Sequence, residues 1–124
     1  MKAIVYTEYG PPDVLQLKEV EKPTPKDNEI LIRVYAASVS YGDIQVRNFK
    51  EISPREFTMP MPLWPVMRIM FGVRKPRSKI LGAELAGEVE SVGKDVKLFK
   101  KGDQVFGTPG FGLGAYAEYK DAIL

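Results

Sequence analysis

Apolar and polar residues alternate in several short segments of the chain, a pattern typical of half-buried β-strands. The strand signals lie in residues 2–7, 14–20, 29–40 and 115–119, with two more inside residues 81–107 on either side of a charged turn. Pro23 and Pro25 cannot donate to a central ladder, so residues 22–28 are expected to form a connection. About six strand signals with two or three short helices predict a mainly β domain, folded as a mostly antiparallel, partly open barrel.

Three short segments carry helix signals instead. Asp43 is a plausible N-cap for a helix through residues 44–47, because its carboxylate can accept a free backbone N–H. Residues 53–56, read as SPRE, fit a capping box with proline at the first helical position. Pro65 can begin a further helix that runs to Phe71 and ends at Gly72. This last helix is unusual because Arg68 is its only polar residue, whereas a surface helix normally has a polar face.

The composition and net charge of the chain limit the classes of function that it can have. The 124 residues make one domain, and 44% hydrophobic and 27% charged residues are ordinary for a globular chain. A net charge of +2 is too small to favour nucleic acid or an anionic membrane as a partner. No signal peptide or segment of about 20 apolar residues is present, so we expect a cytoplasmic location without membrane association.

The chain contains no cysteine and no histidine. This excludes a disulfide, a zinc site built from Cys and His ligands, and the Ser/His/Asp and Cys/His catalytic arrangements. Gly110, Gly112 and Gly114 precede a strand-like segment rather than a helix, so they do not form a phosphate-binding turn.

The segment from residue 82 to residue 105 carries a more specific pattern of glycines, acids and valines. Its members are Gly82, Glu84, Gly87, Val89, Val92, Gly93, Val96, Gly102, Asp103 and Val105. This order resembles the signature of the medium-chain dehydrogenase/reductase superfamily, and residues 1–34 resemble the opening of its zinc-free quinone oxidoreductase-like branch. The resemblance implies that residues 1–124 are a GroES-like domain, the N-terminal catalytic domain of a two-domain enzyme. It also implies a C-terminal Rossmann domain, which these residues do not contain; the apolar ending at residues 122–124 agrees with a longer natural chain.

Ala83 stands where zinc-dependent relatives have a metal-binding histidine, and the loop of residues 37–43 lacks the cysteine that is another ligand. A methyl group cannot coordinate zinc, so the resemblance points to the branch that works without it. Quinones and enones spread an incoming negative charge by conjugation, so hydrogen-bond donors can replace a Lewis acid. The resemblance therefore implies reduction of quinones or activated C=C bonds with NADPH, which the missing domain would mainly bind.

Residues 40–47 resemble the family segment N-x-x-D-x-x-x-R, with Ser40 in place of the asparagine. By this resemblance Ser40, Tyr41 and Asp43 are cofactor-binding residues, and Tyr41 is a candidate catalytic donor of a proton or hydrogen bond. The alternative is structural: Asp43 caps a helix and pairs with Arg47 four residues later.

Residues 57–71 form an apolar insert that many relatives lack, with one tryptophan and four methionines. Because methionine adapts to irregular apolar shapes, Trp64, Met67 and Met70 are expected to contact the substrate as a lid or wall. Core packing, a subunit contact and docking against the missing domain are the alternatives. The basic residues between Arg74 and Lys79 are expected to be a solvated face.

The leading hypothesis is thus the N-terminal domain of an NAD(P)H-dependent oxidoreductase that is inactive by itself. Its expected partners are a small quinone or enone, its own Rossmann domain and a second copy in a homodimer, and they include neither nucleic acid nor membrane. The alternatives are a non-enzymatic GroES-like binding module and an alcohol dehydrogenase-like enzyme of unknown substrate.

Overall fold

The strand predicted in residues 29–40, which has the longest alternating pattern, lies at the centre of the fold. The structure is a computed structural model that describes residues 1–49, 61–109 and 113–123. Its strands are β1 (Lys2–Val5), β2 (Gln16–Glu19), β3 (Glu29–Ala37), β4 (Leu85–Val92), β5 (Gln104–Gly107) and β6 (Tyr119–Ile123). Its helices are α1 (Tyr41–Arg47) and α2 (Trp64–Phe71), with 3₁₀ turns at Pro12–Val14 and Met61–Leu63. Neither helix in this part of the chain has the length or the apolar run needed to cross a bilayer.

The strands form two antiparallel sheets. β1 pairs with β2, and the larger sheet has the order β5-β4-β3-β6. Isolated bridges from Ala3 to Ala117 and from Val5 to Ile80 join β1 to segments that flank the larger sheet. The described strands do not close into a barrel. The prediction of a mainly β, partly open fold with a few short helices is confirmed.

Two groups of buried side chains hold these elements together. The first lies on the larger sheet and consists of Ile30, Ile32, Leu85, Val89 and Ala115. The second consists of Tyr6, Val46 and Leu81, and it packs α1 against the end of β1. Burying these side chains removes apolar surface from water, which is the main favourable contribution to folding. The second group fixes the position of α1 and therefore of the loop before it.

Two predicted strands are displaced. The last strand is β6, Tyr119–Ile123, rather than residues 115–119. The backbone N–H groups of Ala115 and Tyr116 donate to the carbonyls of Gly82 and Leu81 instead of joining the sheet. The strand predicted at residues 14–20 shortens to β2, because Pro12 begins a 3₁₀ turn that occupies its first position.

The two described helices begin and end at identifiable residues. The N-cap of α1 is Ser40 rather than the predicted Asp43, which lies one turn inside as the third residue of a capping box. The predicted helix at Pro65 is confirmed as α2, and it ends at Gly72, whose φ of +110° favours glycine. The predicted capping box at residues 53–56 lies outside the described residues.

Candidate functional site

The end of β3, the start of β4 and the end of β5 meet at one edge of the larger sheet. The register places Ala37 opposite Leu85, and Leu85 opposite Gly107. A groove of about 530 Å³ opens at this edge. Its lining consists of Ala36, Ala37, Ser38, Glu84, Leu85, Ala86, Phe106, Gly107 and Thr108. Concave surfaces with mostly apolar walls and a few polar groups are typical of small-molecule sites.

The polar side chains of this groove include a directly hydrogen-bonded pair. Ser38 Oγ donates to Glu84 Oε2 at 2.7 Å, and both side chains are exposed. The carboxylate can accept a hydrogen bond from a ligand hydroxyl or amide and repels an anionic ligand. Sequence reasoning missed this pair, because the two residues are 46 positions apart and no periodic pattern connects them.

Next to the groove along the chain, Asp43 receives hydrogen bonds from three different segments. Its carboxylate is buried, with 4% of the residue exposed. Oδ2 accepts from Ser40 N, Ser40 Oγ and Tyr116 Oη, each at 3.0 Å, and Oδ1 accepts from Gly82 N at 3.2 Å. Asp43 therefore ties the start of α1 to the segments that contain Gly82 and Tyr116.

These contacts define the local roles of two predicted residues. The hydroxyl of Ser40 accepts from Asp43 N at 3.3 Å while donating to the carboxylate, so both ends of the capping box are formed. Among the described residues, no ion pair joins Asp43 to Arg47. Arg47 instead donates from Nε to the carbonyl of Gly10 at 3.1 Å. The prediction that Asp43 pairs with Arg47 is therefore wrong. Asp43 contributes to the cap of α1 and also binds Gly82 and Tyr116.

Tyr116 is a member of this cluster that sequence reasoning missed. Burial raises the pKa of its hydroxyl, and the hydrogen bond to the Asp43 carboxylate raises it further. Tyr116 therefore stays protonated and donates to Asp43 at neutral pH. The sequence offered no local signal for the contact, since the residues are 73 positions apart.

The backbone conformation and the neighbours of Gly82 leave no room for a side chain. Its φ is +105°, and an added Cβ would lie 2.7 Å from the Cβ of Ala115 and 2.9 Å from the amide nitrogen of Tyr116. This close approach allows the amide of Gly82 to reach the buried carboxylate of Asp43.

Tyr41 differs from its neighbours in exposure. It is the first residue of α1 and is 64% exposed, whereas Ser40 is half-buried and Asp43 is buried. The ring thus stands at the surface, three positions along the chain from Ser38 of the groove. A hydroxyl there can donate to a small molecule, while the cap below it fixes its backbone.

The three predicted substrate residues lie on two sides of α2. Trp64 stacks on Phe49 with ring centroids 4.8 Å apart and an angle of 28°. Met67 is half-buried and shares this side of the helix, whereas Met70 lies on the outer side and is 42% exposed. Residues 57–60 of the proposed insert lie outside the described residues.

The donor atoms near this site do not fit a catalytic zinc ion. The superfamily's histidine position is Ala83, and the hydroxyl of Ser40 is engaged in the cap of α1. In the described parts of the chain no three of His, Cys, Asp and Glu come together as a metal-binding group. Zinc sites in proteins require Cys, His or carboxylate ligands in such groups.

Comparisons with known proteins agree with this architecture. The family model of the alcohol dehydrogenase GroES-like domain matches residues 26–122. The quinone oxidoreductase of Sus scrofa is 36% identical over 120 residues, which are 96% of this chain and 30% of that protein. The chain therefore spans about a third of the length of such relatives.

Solved structures give the same result. The quinone oxidoreductase from Coxiella burnetii superposes with a TM-score of 0.77 at 33% identity, over 99% of this chain and 34% of that one. The Escherichia coli quinone oxidoreductase complexed with NADPH gives a TM-score of 0.74 at 28% identity, over 99% of this chain and 31% of that one. The chain belongs to the alcohol dehydrogenase GroES-like domain family, within the medium-chain dehydrogenase/reductase superfamily.

Proposed function

We propose that this chain is the catalytic-side domain of a cytoplasmic, NADPH-dependent reductase of quinones or activated C=C bonds that works without zinc. The observation that carries the proposal is the replacement of the superfamily's metal ligands. Ala83 has no donor atom, and the loop of residues 37–43 contains no cysteine. The quinone oxidoreductase relatives, one of them complexed with NADPH, support the cofactor and the substrate class.

The absence of suitable metal ligands restricts the reactions that this site can catalyse. A bound nicotinamide cofactor would supply a hydride. An isolated ketone would then need strong stabilisation of an alkoxide, which zinc provides in other enzymes. A quinone or enone delocalises the charge to an oxygen at the end of its conjugated system, where one or two hydrogen-bond donors suffice. This domain offers such donors at its surface, which supports a quinone or an enone as the substrate.

Tyr41 is the residue that we propose to donate to that oxygen. Its exposed ring stands on the first turn of α1, whose position the capping box fixes. Ser40 and Asp43 complete the proposed cofactor-facing segment: Ser40 caps the start of α1, and the buried carboxylate of Asp43 ties that start to the backbone of Gly82. Asp43 acts here as a positioning residue.

Trp64, Met67 and Met70 are proposed to form the apolar wall for the substrate ring. Trp64 and Met67 are only half-buried, so a flat substrate can still reach their edges. The remaining partners in this proposal are a C-terminal Rossmann domain that holds most of the cofactor and a second copy in a homodimer.

The test uses the full-length protein with NADPH and three substrates: a 1,4-quinone, an enone and the matching saturated ketone. We expect turnover of the first two and none of the third. Tyr41→Phe should lower kcat about 100- to 1,000-fold, the range for loss of one oxyanion-hole donor. The control is Tyr35→Phe, which removes another exposed tyrosine hydroxyl, one that donates only weakly to Glu88 at 3.4 Å.

Two results would overturn this proposal. Equal rates with the saturated ketone would remove the argument from conjugation. NADPH binding without turnover of any conjugated substrate would favour the non-enzymatic binding module. Equal activity of the Tyr41 and Tyr35 variants would remove Tyr41 from the reaction while leaving the substrate class intact.

A further inference from the structure

Helix α2 has its apolar side turned outward. Val66, Ile69 and Met70 are 57%, 59% and 42% exposed, and they lie within one third of the helix circumference. Leu63 and Val73 extend this strip at the two ends of the helix, with 46% and 53% exposed. Monomeric globular proteins rarely leave such a contiguous aliphatic strip in water without a partner. We call these five residues the outer face of α2.

The opposite side of α2 contains the helix's single charged residue. Arg68 donates from Nη1 to the carbonyl of Phe49 at 3.2 Å, and its guanidinium lies 5.7 Å from the Phe49 ring centroid. The rings of Trp64 and Phe71 contact the same phenylalanine. The arginine therefore points toward the protein, and the outer face carries no side chain that can form a directional hydrogen bond.

A basic segment follows directly after the outer face. Arg74, Lys75, Arg77 and Lys79 are all exposed, and residues 57–83 contain no aspartate or glutamate. The segment folds back on the helix end, because the N–H of Arg77 donates to the carbonyl of Phe71 at 3.0 Å. Cations and aliphatic side chains are thus adjacent on one surface, although the net charge of the chain is only +2.

Charge decides which occupant this surface fits. A second copy packed by two-fold symmetry would place each basic segment against the same region of the other copy, and residues 57–83 contain no acidic residue to pair with it. A protein partner, the C-terminal Rossmann domain included, would have to supply acidic groups in a fixed arrangement for four cations beside the apolar face. An anionic lipid surface needs no directional contact, accepts aliphatic side chains into its acyl boundary and attracts lysine and arginine.

We propose that the outer face of α2 and the basic segment together form a peripheral docking surface for an anionic lipid bilayer. The net charge of +2 predicts no membrane partner, but a total for the whole chain does not show that four cations lie together beside α2. Each cation near such a surface strengthens binding about fivefold at low ionic strength. The surface lies outside the groove, and of its residues only Met70 also belongs to the proposed substrate wall.

The test is sedimentation of the full-length protein with vesicles of phosphatidylcholine alone or with 30% phosphatidylglycerol. We expect binding to the anionic vesicles only, lost at high salt. Ile69→Gln should weaken it about tenfold, and Lys75→Gln with Arg77→Gln about 25-fold. The matched controls are Leu98→Gln and the pair Lys97→Gln with Lys100→Gln, whose residues are exposed elsewhere. Circular dichroism checks that each variant folds.

Three outcomes would overturn the proposal. The first is no binding to anionic vesicles. The second is equal loss in the α2 variants and their controls, which would indicate nonspecific attraction of a basic protein. The third is concentration-dependent self-association that Ile69→Gln abolishes, which would assign the outer face to a second copy.

Discussion

Replacing Asp43 by asparagine tests whether one buried carboxylate holds the site together. The substitution keeps the shape of the side chain but removes its charge and one of its two acceptor oxygens. The amide oxygen can face Ser40 and Tyr116, as Oδ2 does now. The amide nitrogen then faces the N–H of Gly82, so two donors oppose each other.

The magnitude follows from these contacts. Three bonds to a charged acceptor become bonds to a neutral one, each weaker by about 1 kcal/mol. The N–H of Gly82, which is itself buried, loses its acceptor at a cost of about 1–3 kcal/mol. Relief of the desolvated charge offsets part of this loss. We expect the free energy of unfolding to fall by about 3 kcal/mol, a large share of the total for a domain of this size.

Urea denaturation measures this change, and the fluorescence of Trp64 reports it because that ring is the only tryptophan. Asp95→Asn is the control, since the Asp95 side chain is exposed, and it should change the free energy of unfolding by less than about 0.5 kcal/mol. Tyr116→Phe should cost about 1 kcal/mol in the parent protein and clearly less when Asp43 is already asparagine.

Two results would refute this reasoning. One is a cost for Asp43→Asn within 0.5 kcal/mol of the Asp95 control. The other is an equal cost of Tyr116→Phe in both backgrounds, which would show that the hydrogen bond between the two side chains carries no free energy.

Three further predictions concern the core and α2. Burial raises the pKa of Tyr6, so the unfolded chain deprotonates first and stability falls above about pH 10. Tyr6→Phe should remove about 1.4 kcal/mol per pH unit from that slope in urea titrations, and an unchanged slope would contradict it. Gly82→Ala should cost about 2 kcal/mol more in urea unfolding than Gly102→Ala, because both have positive φ but only Gly82 is crowded; equal costs would contradict this. Arg68→Met should lower the melting temperature and Arg74→Met should not, because only the first arginine donates to the Phe49 carbonyl; equal shifts would count against that role.

Local patterns predicted the elements well where one residue decides the geometry. Pro65 and Gly72 mark the start and end of α2, because proline fits the first turn and glycine adopts the positive φ of the stop. The alternation in residues 29–40 found β3, whose first four residues are in fact buried on both faces. The N-cap of α1 was misassigned by three positions, since Ser40 and Asp43 can both cap and only the backbone conformation distinguishes them.

The site was less predictable because its contacts are distant in sequence. Asp43 meets Gly82 and Tyr116, and Ser38 meets Glu84, across separations that no periodic pattern spans. The superfamily signature located these segments but could not assign partners within them. The inward orientation of Arg68 was equally hidden, because hydropathy assigns a charged side chain to the solvent face.

The most direct test of the account is NADPH-driven quinone reduction by chelator-treated, full-length protein, with zinc quantified in the same sample. We expect an unchanged rate and far less than one zinc ion per chain, because Ala83 and the cysteine-free loop of residues 37–43 provide no ligand for zinc. Activity that disappears with the chelator and returns in proportion to added zinc would contradict it.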